Sequence, residues 1–188
     1  MNRAVFFDRD GTIIEEKNYI KDVNDIIIYD RVAEGLLILK NQGYLIILVS
    51  NQSGVARGYM SVESVEMINA ELNKRLMLQG VCFDDMLYCP HYEAGIIKKY
   101  SINCDCRKPK KGMAWIAQRK HNLNLEQCVM VGDKNTDIEF GKSFGARLNI
   151  LVKTGYGEEQ QKKAEWDYVA DTIYDACKII ADLPQIDF

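Results

Sequence analysis

The sequence predicts an α/β fold built on a doubly wound parallel sheet. Five short apolar runs that could be buried strands are spread along 188 residues. Helical periodicity fills most of the intervals between them. Polar residues gather just after the runs, at the carboxyl ends of the strands, where open sheets of this class bind ligands. The first run is Ala4–Phe7. The stretch Val32–Gln42 reads as a helix stopped by Gly43, since glycine tolerates the left-handed backbone common just past a helix end. Tyr44–Val49 is the second strand. Ser61 can cap a longer helix in which Val62, Val65, Ile68, Leu72 and Leu76 recur at spacings of three and four before Gly80, giving one apolar stripe. Met86–Tyr88, Cys128–Val131 and Asn149–Val152 are the remaining strands, with helices at Gly112–His121, Asn135–Phe144 and Ile173–Leu183. The polar stretch Glu158–Lys163 reads as a surface helix. Repeats and Pro/Gly/Ser-rich linkers are lacking, so residues 1–188 are expected to form one domain.

Composition narrows the function classes. A hydrophobic content of 47% suits one ordinary core. Twenty-four basic against 27 acidic residues give a net charge of −3 without charged blocks, which argues against nucleic acid as a partner. The longest strongly apolar run, Tyr44–Val49, falls far short of the roughly 20 residues that span a bilayer. The start runs directly into Val5-Phe6-Phe7-Asp8 without the pattern of an export signal. A cytoplasmic protein without a membrane partner is the expectation. In that compartment six cysteines are better read as thiols or metal ligands than as disulfides.

Four polar clusters lie mostly at strand ends. Asp8-Arg9-Asp10-Gly11-Thr12 sets two carboxylates two residues apart before a glycine turn. Ser50-Asn51-Gln52-Ser53-Gly54 offers a hydroxyl and two amides. Cys106-Arg107-Lys108-Pro109 brings cations, and Gly132-Asp133-Lys134 is followed by Asp137 near a helix start. Each cluster alone is equally compatible with an ordinary polar turn. Their combination and order resemble the four motifs of haloacid dehalogenase superfamily phosphatases, and the resemblance runs over nearly the whole chain.

That resemblance implies a haloacid dehalogenase-like, Rossmann-like fold and a phosphoric monoester hydrolase. Asp8 would attack phosphorus to form an aspartyl phosphate, and Asp10 would serve as general acid and then base. Ser50 and Lys108 would bind the transferred phosphoryl group. Carboxylates beside a phosphate repel it, and an oxygen-only donor set suits Mg²⁺. The carboxylates of Asp8 and Asp133 and the backbone carbonyl of Asp10 would hold that ion. For Asp137 two roles stand open: orienting Lys108 or the metal's waters, or capping its helix.

Cys89-Pro90-His91 and Cys104-Asp105-Cys106 form a Cys-x-His, Cys-x-Cys pattern. Three thiolates and an imidazole are a structural Zn²⁺ set, although the spacing is tighter than in zinc fingers and scattered core cysteines are the alternative. The loop between them carries little apolar material, and a zinc clip would fix it and position Arg107 and Lys108. The resemblance favours zinc. Cys82, Cys128 and Cys177 read as small core residues, and His121 as structural or exposed. Only short intervals separate Thr12 from Tyr44 and Ser50 from Lys108, so a minimal cap is expected. Within the superfamily, Asn51–Gly58 and the cysteine set look like a branch acting on phosphorylated sugars, with histidinol phosphate as the second substrate. The resemblance assigns substrate contacts to Glu16, Lys17, Asn18, Tyr19, Asn51, Gln52, Ser53, Arg107 and Lys134. A noncatalytic zinc module is the reading of a different class.

Overall fold

The computed structural model describes residues 1–162 and 165–184. Six strands, β1 (Ala4–Phe7), β2 (Leu45–Asn51), β3 (Asp85–Cys89), β4 (Val129–Gly132), β5 (Leu148–Val152) and β6 (Tyr168–Ala170), form one sheet in the order β3-β2-β1-β4-β5-β6. Every pairing is parallel. The central strands are mostly apolar because both faces are covered, and their residues alternate between two cores. Val5, Phe7, Ile46, Leu48, Val129 and Val131 enter one, while Ala4, Phe6, Ile47, Val49 and Met130 enter the other.

Helices α1 (Val32–Asn41), α2 (Val62–Met77) and α6 (Ile173–Ala181) cover the first face through Leu36, Leu39, Ile68, Leu72, Leu76 and Ile180. Helices α3 (Gly112–His121) and α4 (Asn135–Phe144) cover the second through Met113, Ala117, Phe140 and Phe144. The expected boundaries agree for α3 and α4. Ser61 caps α2 as anticipated, its side chain accepting from the Ser64 N–H at 3.2 Å.

The differences are local: the bounds of α1 and of β2 to β5 shift by one or two residues, two short 3-10 helices (Val23–Asp25 and Leu125–Gln127) were not anticipated, and three further differences concern the C-terminal part. β6 is a three-residue edge strand with Tyr168 exposed, too short to register as an apolar run. α6 ends at Ala181 rather than Leu183. α5 (Gly157–Gln160) begins one residue ahead of the anticipated surface helix, whose end at Lys163 lies outside the described residues. The intervals 12–44 and 50–108 are spent on α1, α2, β3 and the loops that join them.

The strand order reverses direction between β1 and β4, on either side of which the chain is wound oppositely. That switch point opens a crevice beyond the carboxyl ends of the strands.

Candidate active site

The chain leaves β1 at Phe7, and the Asp8 N–H donates to Val131 O at 3.0 Å, tying the first turn to β4. The Arg9 carbonyl then accepts from the N–H groups of Ile13 and Ile14 at 2.9 and 3.1 Å, closing a tight loop. Gly11 sits at φ +90°, and a Cβ there would lie 2.2 Å from Asp133 Oδ2. The glycine is required twice over, for its backbone and for its closeness to the carboxylate.

Lys108 occupies the floor of the crevice. Its Nζ lies 2.6 Å from Asp8 Oδ1, 2.7 Å from Asp137 Oδ1 and 2.8 Å from Val49 O, and the side chain is almost wholly buried. The two roles left open for Asp137 divide between its two oxygens: Oδ1 meets Lys108, and Oδ2 accepts from the Lys134 N–H at 3.0 Å, capping α4. Ser50 is buried at the end of β2, where Gln52 Nε2 donates to Ser50 Oγ at 2.6 Å and to Asp10 Oδ2 at 2.8 Å.

Asp8, Asp133 and Asp137 offer oxygens within 4.8 Å of one another. Burial raises the pKa of Asp8 to about 6 against the opposing pull of Lys108. Burial, followed by the charge of Asp8, raises Asp133 to about 8. Burial alone would lower Lys108, but Asp137 and Asp8 outweigh it and hold the ammonium charged. Asp133 Oδ1 is buried with no hydrogen-bond partner among the described residues. A surplus of buried carboxylate and an unpartnered oxygen fit a hard divalent cation.

A cavity of about 600 Å³ opens above this floor. Glu16, Asn18, Tyr19, Ser53, Arg107 and Lys134 reach its rim. Lys134 Nζ pairs with Glu16 Oε2 at 3.0 Å, and Arg107 donates to the His91 carbonyl at 3.1 Å. Asn51 also lines the cavity, with its amide engaged on the Lys108 backbone: Oδ1 accepts from the Lys108 N–H and Nδ2 donates to Lys108 O, each at 3.0 Å. Lys17, by contrast, is exposed and outside the cavity wall. A second cavity of about 500 Å³ beside Trp115 has none of the anticipated site residues in its wall.

Three residues of this site escaped the sequence reading. Thr136 and Tyr156 line the cavity, Tyr156 with its N–H donating to Asp133 Oδ2 at 2.9 Å. Tyr156 follows β5, so the rule that placed the other clusters after strands could have found it. Arg9 is 1% exposed. Arginine is almost never buried without a partner, and nothing in its local sequence marks this one.

The cysteine set also converges. Sγ of Cys106 lies 3.2 Å from that of Cys89 and 3.4 Å from that of Cys104, the latter two are 3.5 Å apart, and His91 Nδ1 stands 3.3 Å from Cys106 Sγ. Ligands about 2.3 Å from a common tetrahedral centre would stand roughly 3.8 Å apart, so the set needs to open by only a few tenths of an ångström. Hydrogen bonding from Cys89, and then from His91 and Cys104, lowers the Cys106 pKa to about 5, while Cys89 is pushed up. The thiols cannot all ionise together without a cation between them. Cys128 and Cys177 are core residues as expected, Cys82 is half-buried, and His121 pairs with Asp85 at 2.9 Å.

A parallel sheet with carboxylates and a buried lysine at its switch point defines a phosphoryl-transfer hydrolase class, and comparison gives it a family. A model described as HAD-hydrolase-like matches residues 105–176, the stretch carrying Lys108, Asp133 and Asp137. The chain is 38% identical over 183 residues to D-glycero-beta-D-manno-heptose-1,7-bisphosphate 7-phosphatase of Haemophilus influenzae, covering 97% of this chain and 99% of the relative. The chain belongs to the haloacid dehalogenase-like phosphatases. D-glycero-alpha-D-manno-heptose-1,7-bisphosphate 7-phosphatase of Photorhabdus laumondii is also 38% identical, over 82% of this chain and 84% of its own. In fold the chain resembles D,D-heptose 1,7-bisphosphate phosphatase from B. bronchiseptica, solved with magnesium and phosphate, at a TM-score of 0.84 and 23% identity, covering 96% of this chain and 98% of that one.

Proposed function

We propose that this protein is a Mg²⁺-dependent phosphomonoesterase that removes the 7-phosphate of D-glycero-D-manno-heptose 1,7-bisphosphate in the cytoplasm. The observation that carries the reading is identity running end to end with phosphatases named for that substrate. Relatives named for the beta and the alpha anomer stand at equal identity, so the proposal covers both anomers.

Asp8 is the nucleophile. One of its oxygens bonds to phosphorus as the ester oxygen departs, and Asp10 supplies the proton that the departing oxygen needs. Water then attacks the aspartyl phosphate, Asp10 takes the water's proton, and inorganic phosphate leaves. Ser50 Oγ and Lys108 Nζ hold the transferred oxygens in place, and Asp137 keeps Lys108 aimed and charged. Asp8 and Asp133, with the backbone carbonyl of Asp10, would hold Mg²⁺, which when bound neutralises charge between carboxylates and phosphate. Zn²⁺ at Cys89, His91, Cys104 and Cys106 has a structural part, fixing the loop that leads into Arg107.

The phosphate that is kept needs a second anion site. Arg107 spends one of its five N–H donors on His91 O and has others for phosphate oxygens. Lys134 contributes charge, and Glu16, Asn18, Tyr19, Asn51, Gln52 and Ser53 shape the sugar's pocket. Lys17 is given no contact. The test is kcat/KM with Mg²⁺ for the heptose bisphosphate against histidinol phosphate. The bisphosphate should win with retention of its 1-phosphate, and the opposite preference would discard the substrate assignment. Arg107→Ala should cost the bisphosphate tenfold or more, about 1.4 kcal/mol, with a smaller loss on an aryl phosphate. Equal losses would move Arg107 to the transferred phosphate.

A further inference from the structure

Arg9 stands between Asp8 and Asp10 in sequence yet is one of the most deeply buried large side chains of the protein, at 1% exposure. A buried guanidinium is costly unless its donors are satisfied, so its partners are informative. Nε lies 3.2 Å from both oxygens of Asp10, and the outer nitrogen Nη2 lies 3.0 Å from Asp10 Oδ2. The other outer nitrogen, Nη1, donates to Asn69 Oδ1 at 2.8 Å. Asn69 is itself buried, a polar residue beside the apolar stripe of α2 formed by Val65, Ile68, Leu72 and Leu76. An amide at such a position needs a polar partner, and Arg9 supplies it. The Asp10 Oδ2 atom also accepts from Gln52 Nε2 at 2.8 Å.

We propose that Arg9, braced by Asn69, is a positioning residue for Asp10. The guanidinium holds both oxygens of the carboxyl group and fixes where it can present its proton. This rests on the reading of Asp10 as general acid. In the step concerned, an Asp8 oxygen bonds to phosphorus, the P–O bond to the substrate breaks, and the electron pair left on that oxygen takes the proton of Asp10. An alkoxide needs that proton to leave; a nitrophenolate leaves without it. Loosening Asp10 therefore slows alkyl esters selectively, whereas a general loss of structure slows every substrate alike.

The experiment measures kcat/KM of Arg9→Met and Asn69→Ala, with Mg²⁺, on p-nitrophenyl phosphate and on the sugar phosphate the enzyme hydrolyses best. A positioned acid contributes about a hundredfold or more to such a step. We expect each variant to lose about tenfold or more on the sugar phosphate and less than about threefold on the aryl ester. Asn69→Ala does not touch Asp10 and removes one hydrogen bond, so it decides the matter if Arg9→Met fails to fold. Asp10→Asn is the reference. If it discriminates strongly between the two substrates while the Arg9 and Asn69 variants lose equally on both, the positioning role is wrong and the acid assignment stands. If Asp10→Asn itself loses equally on both, the acid assignment falls and takes this inference with it.

Discussion

At the scale of single residues, each side chain on the floor of the site is held by at least one neighbour that has no chemical step of its own. Gly11 leaves room for Asp133, Asp137 pairs with Lys108, and Gln52 bridges Ser50 and Asp10. Two substitutions separate chemistry from support. Asp8→Asn keeps the shape of the carboxylate but cannot form an acyl phosphate, so turnover should vanish with the fold intact. Near-normal turnover in a folded mutant would remove Asp8 as nucleophile. Gly11→Ala should fail differently, because its Cβ would collide with Asp133 at a positive φ. Strain of that kind costs about 1–3 kcal/mol for the backbone alone, so a lower midpoint in urea should accompany its loss of activity. Wild-type stability in Gly11→Ala would mean that the turn relaxes more readily than its contacts suggest.

At the scale of elements, the segment Asn51–Gly58 links the phosphate floor to the cysteine loop. Gly54 lets the Tyr19 ring come close, Ala56 O accepts from the N–H groups of Ile96 and Ile97 at 2.8 and 3.0 Å, and Arg57 stacks over Tyr92 at 4.1 Å. The loop itself has little apolar burial: Ile96, Ile97 and Ile102 are exposed. Losing zinc should therefore loosen this element and spare the two cores. Cys104→Ser is expected to lower bound zinc, found by elemental analysis, from about one equivalent, in line with a closed four-ligand site. Activity should fall through disorder near Arg107, while far-ultraviolet circular dichroism changes little. Unchanged zinc content would break the assignment. This loop also marks how far the sequence could be read. Its cysteine and histidine cluster was suggested by the Cys-x-His and Cys-x-Cys pattern together with the family resemblance, and the central strands were legible because both of their faces are apolar. β6 was not, since an edge strand with one exposed residue leaves no periodic trace. The pairing of Arg9 with Asn69 was hidden for a related reason, since the two lie 60 residues apart in the chain. Lys17 was read from motif position, and its exposure follows from side-chain direction in a loop that turns at Asn18 and Tyr19 with φ values of 49° and 72°.

For the whole molecule, the site is stability given up for function. Three carboxylates are buried within 4.8 Å of one another at the one place where the sheet layers part, and Asp133 is fully enclosed. Lys108 offsets part of this charge, and without a metal ion the remaining repulsion and lost hydration oppose folding. Asp133→Asn removes a buried acid whose pKa burial raises to about 8, with nearly the same shape, and should raise the thermal midpoint of metal-free protein, the gain growing as pH rises from 3.8 towards about 8. A relief of about 1–2 kcal/mol corresponds to roughly 2–8 °C for a chain of this size. Mg²⁺ should act unequally on the two proteins. It stabilises wild type by mass action, about 2.7 kcal/mol at a hundred times its dissociation constant, and does little for Asp133→Asn, which has lost a ligand. Melting curves of both proteins, with EDTA and with a Mg²⁺ series, should therefore cross: the mutant melts higher without metal, the wild type higher with it. Zinc must be held constant during the comparison, so the EDTA exposure is kept brief and zinc content is checked afterwards. A mutant that melts lower than wild type in metal-free buffer would show that Asp133 serves the fold through its hydrogen bond to the Tyr156 N–H, and that the buried charge is compensated within the protein itself.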